Sequence, residues 1–128
     1  MLNIDTNTMM IAITRGDSAS ITFGAKDKSG TTWNPTEGDE TLTLSVSKKW
    51  GGVPLMEITN PYDADPTTFW TINIDTDDWL DSNGNDKFKF ADYVYDVQVG
   101  TSSGAITIIG KTDDLNPTFR VWGESAEE

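Results

Sequence analysis

Cysteine and histidine are both missing from this 128-residue sequence, and each absence removes whole classes of chemistry. Without cysteine there is no disulfide framework, no thiol nucleophile, no iron–sulfur cluster and no thiolate zinc site. Without histidine there is no Ser-His-Asp triad, no imidazole general base and no histidine metal ligand. Positive charge is scarce as well. Nine Lys and Arg stand against 21 Asp and Glu, giving a net charge of −12. A field of that sign repels phosphate backbones and anionic lipid, so neither nucleic acid nor membrane is expected as a partner. Long apolar runs are lacking too, and nothing approaches the ~18 residues of a membrane span. Met1 to Thr14 carries no Lys or Arg, and Met9 to Ile13 is too short for the apolar core of a secretion signal. The simplest expectation is a soluble intracellular product. A virion or surface protein exported without a signal fits equally.

What is present is alternation. Leu42, Leu44 and Val46 share one phase of Thr41 to Ser47, and Trp70, Ile72 and Ile74 share one phase of Trp70 to Asp75. Tyr93, Tyr95, Val97 and Val99 do the same, with weaker copies at Met9 to Ile13, Ser20 to Ala25, Ala105 to Ile109 and Thr118 to Trp122. Period-two patterning buries one face of a strand and wets the other. Eighteen threonines, with many β-branched and aromatic residues, favour pleated surface over helix. The best helical candidate is one turn near Thr76 to Asp81, with Thr76 as cap.

Glycine turns at Arg15-Gly16-Asp17, Lys28-Ser29-Gly30, Gly51-Gly52, Asn83-Gly84 and Ser103-Gly104 separate the strands. Asn34-Pro35, Asn60-Pro61 and Asn116-Pro117 mark further corners. Val53-Pro54 and Asp65-Pro66 place proline at strand starts or edges. The pattern predicts an all-β, antiparallel β-sandwich of seven or eight strands, with a small β-barrel as the rival. It is read as a single domain over residues 1–128, with 1–7 and 123–128 as flexible ends.

The acid is uneven. Residues 65–128 hold 13 acidic and 4 basic side chains, and Asp63 to Asp86 holds seven aspartates and no basic residue. Asp77, Asp81, Asn83, Asn85 and Asp86 there offer the hard oxygen ligands that Ca²⁺ takes. The register departs from an EF-hand: counting Asp81 as the first position, glycine falls at the fourth, Gly84, where that loop needs it at the sixth. The plainer reading is a solvated hairpin loop. Asp75 and Asp96, at polar phases of aromatic-rich strands, are a conceivable carboxylate pair for glycoside hydrolysis. Acids are so numerous that finding two is uninformative, and surface carboxylates on outer strand faces are the plainer reading. Among five tryptophans, Trp70 is in phase with the core and Trp122 lies opposite Phe119 and Val121. Trp33, Trp50 and Trp79 stand beside Pro or Gly turns as a surface for a protein interface or a sugar ring. Arg15-Gly16-Asp17 is read as a turn between two strands, not as an adhesive tip.

Three segments recur together: Arg15-Gly16-Asp17-Ser18 with Ser20-Ile21-Thr22-Phe23 and Asp27-Lys28-Ser29-Gly30; Asp75 to Leu80 leading into Tyr93-Val94-Tyr95-Asp96-Val97-Gln98-Val99; and Gly104 with Ile106-Thr107-Ile108-Ile109 and Thr118-Phe119-Arg120-Val121. This set, over roughly residues 8–122, resembles the immunoglobulin-like domain of tailed-phage structural proteins, including the N-terminal domain of the upper baseplate protein family. Ala91-Asp92 stands where that family has glycine before the Tyr-x-Tyr-Asp strand, and Ser82 to Phe90 is longer than usual. The resemblance implies a non-enzymatic virion module at a tail or baseplate, present in the bacterial host cytoplasm during assembly. Its partners would be other virion or tail proteins, or further copies of itself. Lys48 to Pro54, Asp63 to Asp86 and an exposed sheet edge are the expected contact surfaces. A carbohydrate-binding β-sandwich, with or without Ca²⁺, is the second reading, and a catalytic β-sandwich hydrolase the third.

Overall fold

Alternation becomes strand wherever a pleated segment can bury its apolar phase. In a computed structural model, which describes residues 2–5, 9–14, 17–26, 29–75, 90–110 and 116–122, most of the described residues are β-strand. The elements are β1 (Leu2–Asp5), β2 (Met10–Thr14), β3 (Ser18–Thr22), β4 (Ala25–Lys26), β5 (Thr32–Trp33) and β6 (Thr41–Ser47). After them come β7 (Pro54–Pro61), α1 (Pro66–Trp70), β8 (Thr71–Asp75), β9 (Phe90–Thr101), β10 (Gly104–Ile109) and β11 (Thr118–Trp122).

One seven-stranded sheet runs β1-β2-β11-β9-β6-β7, with β10 pairing the remaining length of β9; β3 pairs β8 and β4 pairs β5 in two small sheets. The register sets the core. Leu42, Leu44 and Val46 lie opposite Val99, Val97 and Tyr95 on one side and Asn60, Ile58 and Met56 on the other. Ile21, Ile72 and Ile74 of the β3–β8 pair join them, with Phe69, Trp70, Phe119 and Val121, in one buried cluster. The fold is therefore all-β and sandwich-like, as the periodicity predicts.

Several expectations change. Leu2–Asp5, placed in a flexible end by the sequence, is strand and pairs antiparallel with β2. The pairing is not wholly antiparallel, because β11 runs parallel to β2. These strands lie far apart in sequence, so no short turn forces them antiparallel. Asp65-Pro66 starts a helix rather than a strand: Asp65 accepts from the Thr67 N–H at 2.9 Å, and Pro66 sits in the first turn, where its missing N–H costs nothing. The turn expected near Thr76 to Asp81 and the tail 123–128 lie outside the described residues. Trp70 closes the helix instead of opening β8, yet is buried as its phase predicts.

Candidate functional site

Among the described residues, the β6–β7 hairpin brings exposed apolar and basic side chains together. Lys48, Lys49, Trp50, Gly51 and Gly52 make its tip, and Gly51 takes a left-handed φ of 77° that a side chain would strain. Gly52 N–H closes the turn on the Lys49 carbonyl at 3.1 Å. Lys48 and Lys49 are exposed, Val53 is 86% exposed and Leu55 44%. The hairpin Thr41 to Pro61 holds two lysines and one glutamate, a net of +1 in a chain of −12.

Beside the tip, a cleft of about 210 Å³ opens on the outer face of the sheet, lined by Ser45, Ser47, Lys49, Trp50, Asp96 and Gln98 among others. Trp50 is half-buried, and its indole N–H donates to Asn116 Oδ1 at 2.7 Å, which fixes the ring against the approach to β11. Outer-face side chains line up across three strands. Thr59 and Thr43 share a hydroxyl contact at 3.0 Å, and Gln98 beyond them donates to Thr107 at 3.4 Å. One row along, Ser45 sits between Glu57 and Asp96 and donates to Glu57 Oε2 at 3.2 Å. Partial burial pushes the Asp96 carboxyl above its ordinary range, and the Glu57 charge adds to this.

The carboxylate pair read from the sequence is not assembled. Asp75 lies on β8 opposite Ser18, in a different sheet from Asp96. Sequence reasoning missed Glu57 as the acidic neighbour of Asp96. The alternation placed Ser45 and Asp96 in outward phases but did not reach Glu57, and register between strands carries no local signal.

Trp33 is half-buried on β5, edge-on to Trp70 with ring centroids 6.1 Å apart. It lines a mainly apolar groove of about 430 Å³ with Ala25, Lys26, Val99, Ile106 and Ile108. The structure thus separates Trp33 from Trp50. Trp79 and the Ca²⁺-ligand candidates Asp77, Asp81, Asn83, Asn85 and Asp86 lie outside the described residues. Among the described residues no group of three acidic side chains is gathered as for a metal ion, and no helix is long and apolar enough to cross a membrane. Asp17 N–H donates to the Thr14 carbonyl at 3.0 Å, while Arg15 and Gly16 of the expected Arg15-Gly16-Asp17 turn lie outside the described residues.

Compared with protein-family models, with curated proteins and with solved structures, the chain matches none.

Proposed function

We propose that this chain is a non-enzymatic structural module of a tailed phage or prophage particle, of immunoglobulin-like fold, acting by protein–protein contact. The sequence resemblance over roughly residues 8–122 supports this reading. So does strand order. A sheet β2-β11-β9-β6-β7 with a parallel first pair, facing β3-β8, follows the order of a variable-type immunoglobulin sandwich. The observation that carries contact as the function is the 86% exposed Val53 just before β7 and the 44% exposed Leu55 within it, at the margin of the large sheet. Exposed apolar side chains grouped on a sheet margin mark interaction sites.

The partner is another virion or tail protein, met in the host cytoplasm during assembly and retained in the particle. Mass spectrometry of purified particles tests this: the chain is expected at a stoichiometry that fits particle symmetry. A Val53→Asp, Leu55→Asp double variant should fold and fail to be incorporated. Particles that lack the wild-type chain overturn the reading.

The Trp50 cleft favours a second reading, a carbohydrate-binding module. A fixed aromatic ring beside hydroxyl, amide and carboxylate groups suits a neutral sugar. Titration with a panel of neutral oligosaccharides, read by tryptophan fluorescence, decides it. Quenching lost in Trp50→Ala supports this reading, and no quenching with any glycan removes it.

A further inference from the structure

We propose that a second copy of this chain adds to the outer edge of β7 by antiparallel strand pairing, about a two-fold axis passing beside Ile58. The inference names a first partner for the contact module proposed above and rests on that reading. Among the described residues, β7 pairs with β6 on one edge and with no strand on the other. Long margins of this kind are usually blunted by Lys or other charges, or by a central bulge or proline. Here the prolines are Pro54 and Pro61 at the ends, the register shift lies at the tip, and Glu57 is the one charge between them. On the core side Met56 and Ile58 are only half-buried, so a further strand would cover them.

Symmetry narrows the register. Both copies must turn their core faces the same way, so only residues of like phase can oppose each other. Centring on Glu57 sets that carboxylate against its own copy, which is unfavourable. Centring on Met56 sets Leu55 against Glu57. Centring on Ile58 opposes Ile58 to Ile58, Glu57 to Thr59, Met56 to Asn60 and Leu55 to Pro61. No like charges meet in that register.

The ends of β7 agree with the same choice. The turn before β7 is basic through the exposed Lys48 and Lys49, and the turn after it is acidic through Asp63 and Asp65. Antiparallel pairing sets the basic tip of each copy beside the acidic turn of the other, twice per dimer. A parallel arrangement would set like against like. The two ends of β7 thus carry opposite local charge, which is complementarity that a second copy supplies.

Sedimentation of the full chain from about 5 µM to about 1 mM tests the association. The expected mass rises with concentration from 14.1 kDa toward twice that value. Lys48→Glu with Lys49→Glu, both at exposed positions, should raise the dissociation constant about tenfold or more while leaving the circular dichroism unchanged. Position is tested by cysteine, since the chain has none of its own. A mixture of Glu57→Cys and Thr59→Cys, again exposed sites, should give a mixed disulfide, because opposed residues lie within disulfide reach. Leu55→Cys alone should give none. A monomer at about 1 mM, or a dimer indifferent to charge reversal and lacking the 57–59 link, overturns the proposal. A particle protein that protects β7 amides from exchange while the chain stays monomeric also overturns it, and leaves the contact reading standing. Absence from particles together with a 57–59 dimer has the opposite meaning.

Discussion

The Tyr95 hydroxyl donates a hydrogen bond to the backbone carbonyl of Met9, 86 residues away in sequence. Met9 has a left-handed φ of 58°, an uncommon conformation for a side chain of its size. The bond ties the central strand β9 to the chain entering β2. Tyr95 also packs edge-on with Phe119, ring centroids 6.4 Å apart. Burial pushes its phenol up to about 12 from 10.0.

Tyr95→Phe keeps the ring and removes the bond, leaving a part-buried carbonyl without this donor. A loss of about 1–3 kcal/mol is expected in urea unfolding. The pH dependence has a definite sign. Because the folded pKa lies above the unfolded one, the contribution is complete below pH 10.0 and declines as pH rises toward about 12. Wild-type stability should fall across that window more steeply than that of Tyr95→Phe. Parallel curves would contradict the burial of this hydroxyl.

Glu40 gives the reverse dependence. It is a buried carboxylate, and it accepts from the N–H groups of Thr36, Glu37 and Gly38, each at 3.0 Å. Burial alone would raise its pKa. The backbone donors outweigh this and hold it below the ordinary value of 4.5. Its contribution is therefore present above pH 4.5 and lost as pH falls through the lowered value. Glu40→Gln should lower the melting temperature at neutral pH, with a shallower acid limb than the wild type. Equal melting at neutral pH would show that the charge is dispensable in this loop.

Asn60 joins β7 to the helix–strand junction. Its amide donates to the Phe69 carbonyl at 3.1 Å and to the Thr71 carbonyl at 2.7 Å. Asn60→Ala removes both bonds and should cost about 2–3 kcal/mol in chemical denaturation, within the range of a part-buried, doubly used donor. Amide exchange should quicken in α1 and β8 more than in β6. Uniform acceleration would mean that the junction is not the element released.

Asp96 should be mildly destabilising at neutral pH. Burial and then the Glu57 charge raise its pKa, so the folded state prefers the proton and loses stability as pH rises through the carboxylate range. Asp96→Asn is expected to stabilise at pH 7 by no more than about 1 kcal/mol, because the group is partly solvated and screened. The gain should vanish in acid. Glu57→Gln should lower the Asp96 pKa in a carboxyl-carbon NMR titration. An unshifted titration would separate the two carboxylates.

Several local features were legible from residue order. Leu42, Leu44 and Val46 share a phase, and all three are wholly buried on β6. Phe119 and Val121 are buried while Trp122 is only half so, as their opposite phases require. Pro54 does open a strand. These follow from the two-residue period of the pleat, which acts within one segment and needs no partner to be read. The Asp65-Pro66 helix start was present in the same local chemistry. Both residues also suit a strand margin, and the five-residue helix is too short to show a period.

Relations between segments belonged to the tertiary structure. Alternation placed Ser45 and Asp96 in outward phases, but only the pairing of β6 with both β7 and β9 brings Glu57 to the same row. The parallel alignment of β2 with β11, the Tyr95 bond to Met9 and the recruitment of Leu2–Asp5 into the sheet are of the same kind. The physical reason is range. Which face of a strand is apolar is decided by nearest neighbours along the chain. Which strand lies beside it, in what direction and register, is decided by how all the apolar faces close one core.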